Sequence, residues 1–238
     1  LLVAVGFGML FASKKEKIQQ YGYMIMGLGM IFFGMGVMSG AMKPLRTYQP
    51  FLDMMTQMSN PVLGILVAAL FTALIQSSSA TTGVIIVLAL QGLLSLKAGI
   101  ALSFGANIGT CVTAFLASIG KPREAVRAAL VHTLFNVIGA AIWIGFVRQL
   151  AELAQYISPS YPELSGVARS AAEVPRQLAN IHTFFNVVNA ILFIGFTTQF
   201  ARFVEWLVPD RPLAVDKDAK ARFIDDHLLT TPAIALDA

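Results

Sequence analysis

The stretch TALIQSSSATTGVII (residues 72–86) decides how this chain is read. Gln76, Ser77, Ser78, Ser79, Thr81 and Thr82 put six hydrogen-bonding side chains into seven residues. They sit in the middle of a run, residues 61–96, that contains no charge. About 15 apolar residues precede the polar group and about a dozen follow it, each arm too short at 1.5 Å per residue to cross roughly 30 Å of hydrocarbon. The pattern predicts two half-helices folded back on one another at the polar break, a re-entrant hairpin.

Working outward, residues 18–42, 98–120, 128–147 and 177–201 are also free of charge. Each is near the roughly 20 residues that a bilayer helix requires. The 238 residues are 56% hydrophobic and only 13% charged, against about 25% charged for a soluble domain. The expected fold class is therefore all-α, a polytopic membrane protein. The sequence pI near 9.3 would suit a nucleic-acid binder, but the cations form short clusters between apolar runs, which is a topology signal. No nucleic-acid partner is expected; membrane lipid is.

The basic clusters Lys14/Lys15/Lys17, Lys121/Arg123/Arg127 and the tail from Arg202 to Arg222 fall on one side only if the hairpin begins and ends on the other. The reading is then a membrane domain over residues 1–208, with spanning helices at 18–42, 98–120, 123–148 and 177–207 and the hairpin at 61–96. Residues 149–176 become an outer loop, and 209–238 a cytoplasmic tail. Residues 44–60 are too polar to span and fit an amphipathic segment at the interface. Leu1 opens inside an apolar run, so the chain is expected to be part of a longer one.

A second repeat lies near the end. Residues 132–151 (HTLFNVIGAAIWIGFVRQLA) align with 182–201 (HTFFNVVNAILFIGFTTQFA), identical at eleven of twenty positions. Two consecutive helices of opposite direction with one sequence form a small inverted repeat, a common transporter device.

Irregular backbone at membrane depth is tolerated where it lines protein or a watery cavity. A helix break there exposes N–H groups of one arm and carbonyls of the other, which suit an anion and a sodium ion respectively. The hydroxyls and the Gln76 amide add donors and acceptors. A second polar strip, Asn107, Thr110 and Thr113, lies in SFGANIGTCVTAFLAS (residues 103–118), where Gly105 and Gly109 form a G-x-x-x-G packing step. Gly27, Gly29, Gly34, Gly36 and Gly40 smooth another helix for close contact. His132 and His182, each followed four residues later by Asn136 or Asn186, read as structural seams. Enzyme chemistry finds no nucleophile–base–acid set, no ligand cluster for a metal and no Gly-rich phosphate loop. No cofactor is expected.

QSSSATT, then GANIGTCVTA, then R-x-A-x-V-H-T-L-F-N, in that order, resembles the type II Na+/phosphate cotransporter family and its bacterial members. The resemblance covers nearly all of residues 1–208, and implies a phosphate–sodium symporter of a bacterial inner membrane with a cytoplasmic C-terminus. It carries the QSSS role onto Gln76, Ser77, Ser78 and Ser79, with Thr81, Thr82, Asn107 and Thr110 beside them. Sodium would be held through Gln76, Ser77, Ser79 and Thr110. The family has two inverted QSSS units, and this chain holds one, half of an inverted-repeat transporter, so the other repeat is an implied partner. The tail resembles the start of a PhoU-like domain. Transport of a related oxyanion, or a non-transporting scaffold that binds a partner through that tail, are the alternatives.

Overall fold

A computed structural model describes residues 1–210; the tail reading for residues 211–238 lies outside the described residues. The architecture is all-α. Helix α1 (Leu2–Ala12) and α2 (Glu16–Met42) form a hairpin across the Lys14/Lys15 turn. Gly6 and Gly22 meet backbone to backbone, and Gly29 lies against Val3 and Leu2. Gly27, Gly34, Gly36 and Gly40 touch nothing within 4 Å among the described residues. The smooth face of α2 is thus only partly used.

A 3-10 turn (Lys43–Arg46) leads to α3 (Gln49–Gln57), which is bent 111° from α4 (Pro61–Ile75). Helix α3 packs Phe51, Leu52 and Met55 on the core. Asn60 starts α4 by accepting from the Val62 and Leu63 N–H groups at 3.0 and 3.3 Å, with Pro61 at the first helical position. Helix α5 (Ser78–Leu90) stops at left-handed Gly92 (φ +68°), after which the Leu93 N–H returns to the Leu88 carbonyl at 3.0 Å.

Helix α6 (Leu96–Gly109) is the centre of the fold: eleven of its fourteen residues are buried. It continues almost unbroken into α7 (Cys111–Ser118), the pair reading as one span of 23 residues. In lipid the hydrophobic effect does not drive helices together, so association depends on close packing. Gly105 supplies it: a Cβ there would collide with the Ile65 carbonyl and reach Ala68 Cβ at 2.8 Å. Gly109 meets the Ala69 carbonyl and Thr72 in the same way. The G-x-x-x-G step is therefore a packing device between α4 and α6.

Helix α8 (Arg123–Trp143), α9 (Val147–Tyr156), α10 (Gly166–Ile194) and α11 (Thr197–Leu207) complete the chain. Here the structure departs from the sequence reading. The supposed outer loop is mostly helix: α9 fills its first part and α10 begins at Gly166, leaving residues 157–165 as the connection. Pro175 sits inside α10. The return helix is broken in its turn at Gly195–Phe196.

The 132–151/182–201 repeat is visible as geometry. Each copy ends a long helix at Ile-Gly-Phe and starts a shorter one. Phe146 (φ −110°, ψ 12°) and Phe196 (φ −109°, ψ 10°) hold matching backbone positions. The two long helices run in opposite directions and cross at Gly139 and Asn189, themselves equivalent positions of the repeat; the space for a Gly139 side chain is taken by the Asn189 amide. Phe135 meets Phe193 at 5.2 Å, and the mates of that pair, Phe185 and Trp143, meet at 6.4 Å. Trp143 Nε1 donates to Asn189 Oδ1 at 2.8 Å in this buried crossing. Trp143→Phe is expected to leave that oxygen unpaired and to cost about 1–3 kcal/mol, read as a lower thermal unfolding midpoint.

Candidate functional site: the helix break at Gln76 and Ser77

The break sits where the sequence places it. Helix α4 ends at Ile75 and α5 begins at Ser78. Gln76 is the one described non-glycine residue with positive φ, at 56° with ψ 28°, in the left-handed region. Its N–H still reaches the Thr72 carbonyl at 2.7 Å, so α4 closes its last turn before the chain reverses. Ser77 is extended (φ −145°, ψ 102°) and caps α5, its Oγ accepting from the Ala80 N–H at 3.2 Å. The Ser77 carbonyl accepts twice from Thr81, from its N–H at 3.1 Å and its Oγ at 3.2 Å.

The two arms lie side by side. Thr72 and Thr81 share a hydrogen bond of 2.8 Å between their hydroxyls and are 0% and 2% exposed. Val67, Ala68 and Phe71 of α4 face the same apolar cavity as Val84, Ile85 and Leu88 of α5. This is the antiparallel hairpin that the 61–96 pattern requires. Thr81→Val would strand the buried Thr72 hydroxyl at about 1–3 kcal/mol. The Thr72→Val/Thr81→Val pair should recover part of that loss in a thermal unfolding series, because two apolar groups of similar shape replace the bond.

The polar groups of the break divide by exposure. Thr81 is consumed by the fold. Gln76 and Ser79 are exposed, and Ser77, Ser78 and Thr82 half-buried. Among the described residues, the side chains of Gln76, Ser78, Ser79 and Thr82 make no hydrogen bond. Behind them stand the first N–H groups of α5, with their partial positive charge, and the last carbonyls of α4. The tip therefore presents hydroxyls, an amide and helix ends to whatever lies against it, without a charged side chain.

Asn107 and Thr110 are placed differently. Asn107 Nδ2 donates to Asn186 Oδ1 on α10 at 3.4 Å, and Thr110 Oγ donates back to the Ala106 carbonyl at 2.9 Å. Gly109 brings this segment against Thr72, one hydrogen bond away from Thr81, but the Asn107 and Thr110 side chains do not bond to the tip. Asn136 and Asn186 donate to the backbone carbonyls of His132 and His182 at 2.9 and 2.8 Å, bonds made within each helix and not through the histidine side chains. Cys111 leans on the His132 carbonyl from the other side at 3.9 Å. Sequence reasoning missed Thr72, whose signal is a lone hydroxyl four residues before Gln76, and Asn186 as the partner of Asn107.

An all-α, multi-pass membrane protein with a polar helix break facing outward from its hairpin is the class that these observations define. The Na+/Pi-cotransporter family model matches residues 46–158, the segment that holds the hairpin, α6, α7, α8 and α9. It is 28% identical over 159 residues to "Uncharacterized protein YqeW" of Bacillus subtilis, covering 66% of this chain and 52% of that protein. It is 30% identical over 135 residues to human "Sodium-dependent phosphate transport protein 2B", covering 52% of this chain and 20% of that one. Similarity to "Putative inorganic phosphate export protein YjbB" of Escherichia coli is 27% over 165 residues, 69% of this chain and 30% of that protein. The chain thus spans about half of the length of the first of these relatives and less of the others. No solved structure matches it at a significant level.

Proposed function

We propose that this chain supplies one half of a sodium-coupled inorganic phosphate transporter, with the anion and sodium bound at the Gln76–Ser79 break. The observation that carries the reading is the left-handed turn at Gln76 inside a hairpin otherwise built of apolar residues. Its uncovered amide and hydroxyls suit a ligand that is bound and then released. Phosphate as substrate and sodium as coupling ion rest on the family and on the printed names of the relatives, phosphate being common to both transport names and sodium to one of them.

In this reading the α5 N-terminus and the hydroxyls of Ser78 and Ser79 donate to the phosphate oxygens, replacing part of its hydration shell. Sodium takes oxygen ligands from the Gln76 amide, Ser77, Ser79 and Thr110, with the carbonyl end of α4 adding negative potential. Thr82 borders the anion, and Asn107 holds α10 to the site through Asn186. A second QSSS unit, outside this sequence, faces the exposed side of Gln76 and Ser79 and completes the cage. Residues 1–208 form the membrane domain, in a bacterial inner membrane with the C-terminal tail in the cytoplasm.

The test is phosphate flux into proteoliposomes holding the full-length protein, under an inward sodium gradient and under an equal potassium gradient. Flux that requires sodium and resists competition by sulfate is the expected result. Flux indifferent to sodium would remove the coupling ion from the account. Competition by sulfate as effective as by phosphate itself would move the substrate to oxyanions in general. The absence of any phosphate flux would favour the scaffold reading.

A further inference from the structure

The α7–α8 connection borders a cavity that no residue of the α4–α5 hairpin lines. It is about 850 Å³ and open, lined by Val112, Phe115, Leu116 and Ile119 and also by Lys121 and Arg123. The four apolar residues are 36–73% exposed, Ile119 most of all. The cavity sits where two candidate spans meet, Leu96–Ser118 ending and Arg123–Tyr156 beginning, so its cations lie in the turn between two spans and its apolar wall on the last turns of the first.

The third cation of the cluster is already committed. Arg127 donates to the Val208 carbonyl at 3.0 Å and to Asp210 at 2.8 Å. Among the described residues, Lys121 and Arg123 take part in no ion pair, the three such pairs being Arg127–Asp210, Arg148–Glu152 and Arg169–Glu173. We infer that the cavity is a binding site for an anionic phospholipid, whose phosphate diester meets Lys121 and Arg123 while one acyl chain lies along Val112, Phe115, Leu116 and Ile119.

The choice of occupant follows from the shape of the chemistry. A free phosphate ion would use the two cations and gain nothing from the apolar wall. A zwitterionic lipid such as phosphatidylcholine would offer the same phosphate diester but bring a quaternary ammonium up against the two cations. An anionic phospholipid satisfies the wall and the cations, and each basic side chain near an anionic surface adds about 1 kcal/mol. The inference is independent of the phosphate-transport reading, because its readout is lipid retention and not flux.

The experiment is native mass spectrometry of the full-length protein in detergent, titrated with phosphatidylglycerol or phosphatidylcholine. Preferential retention of phosphatidylglycerol is expected, with the preference falling about tenfold or more in Lys121→Gln/Arg123→Gln, as two charges at the membrane surface imply. Arg148→Gln, whose cation is exposed and paired with Glu152, should keep it. Equal retention of the two lipids by the unmodified protein would overturn the inference without reference to any variant. So would displacement of phosphatidylglycerol by excess inorganic phosphate, which would make this a free-anion site. Cross-linking of Phe115→Cys to another segment of the chain in native membranes would also overturn it, giving the cavity a protein occupant.

Discussion

Gln76→Gly in the full-length protein is expected to lower sodium-driven phosphate uptake by about tenfold to a hundredfold while leaving the hairpin folded. Glycine accepts the left-handed backbone that Gln76 adopts at φ 56°, so the substitution removes the amide and keeps the turn. Loss of a hydrogen bond to a charged partner is worth about 1.5–3 kcal/mol, and each 1.36 kcal/mol is a factor of ten. Gln76→Ala is a poorer probe, since alanine at positive φ adds about 1–2 kcal/mol of backbone strain to the loss of the amide. Uptake and thermal midpoint measured together separate the two effects: the glycine variant should lose the first and keep the second. Unchanged uptake would reduce Gln76 to a turn residue.

The second large effect is on folding. Gly105→Ala should destabilise the protein by about 3 kcal/mol, the upper end of what overpacking costs. The added methyl meets the Ile65 carbonyl, part of the α4 backbone, and not a side chain that could swing away. The only relief is separation of α4 from α6, which would also shift the Thr72–Thr81 pair and the break above it. Ser103→Ala, two residues earlier, removes a hydroxyl that only bonds back to the Gly99 carbonyl at 2.8 Å and should change stability by less than about 1 kcal/mol. A thermal unfolding series on the two variants checks the contrast; equal midpoints would mean that α4 and α6 are not held by this contact.

Much of the hairpin was readable because its punctuation is local. The polar cluster marks the break to within a residue, whereas the hairpin read over residues 61–96 overruns its second arm: α5 ends at Leu90, and residues 91–95 lead into α6. The charge-free runs likewise located α2, the α6–α7 span and most of α8, but not the start of α10 at Gly166 or its end at Ile194. The weaker reading came where polarity was taken for loop. Residues 147–156 carry charge, yet Val147, Leu150, Ala151 and Ala154 recur at helical spacing and are the buried face of α9. Pro175 encouraged the same error, although α10 continues through it. The contacts of Asn107 were out of reach for a different reason: its partner Asn186 is 79 residues away in sequence, and only the crossing of α8 and α10 brings that face of α10 into place. Exposure at the break was equally illegible, since spacing does not say which hydroxyls the fold itself consumes.

The most direct test of the central claim is substrate protection of the break. Ser79 is exposed and Cys111 is buried, so the alkylation by a polar maleimide that Ser79→Cys adds over the unmodified full-length protein reports on this one position. Phosphate with sodium should slow its alkylation strongly, and phosphate with choline should slow it much less. Alkylation at the same rate with and without phosphate, in sodium, would contradict the account and place phosphate away from Gln76–Ser79.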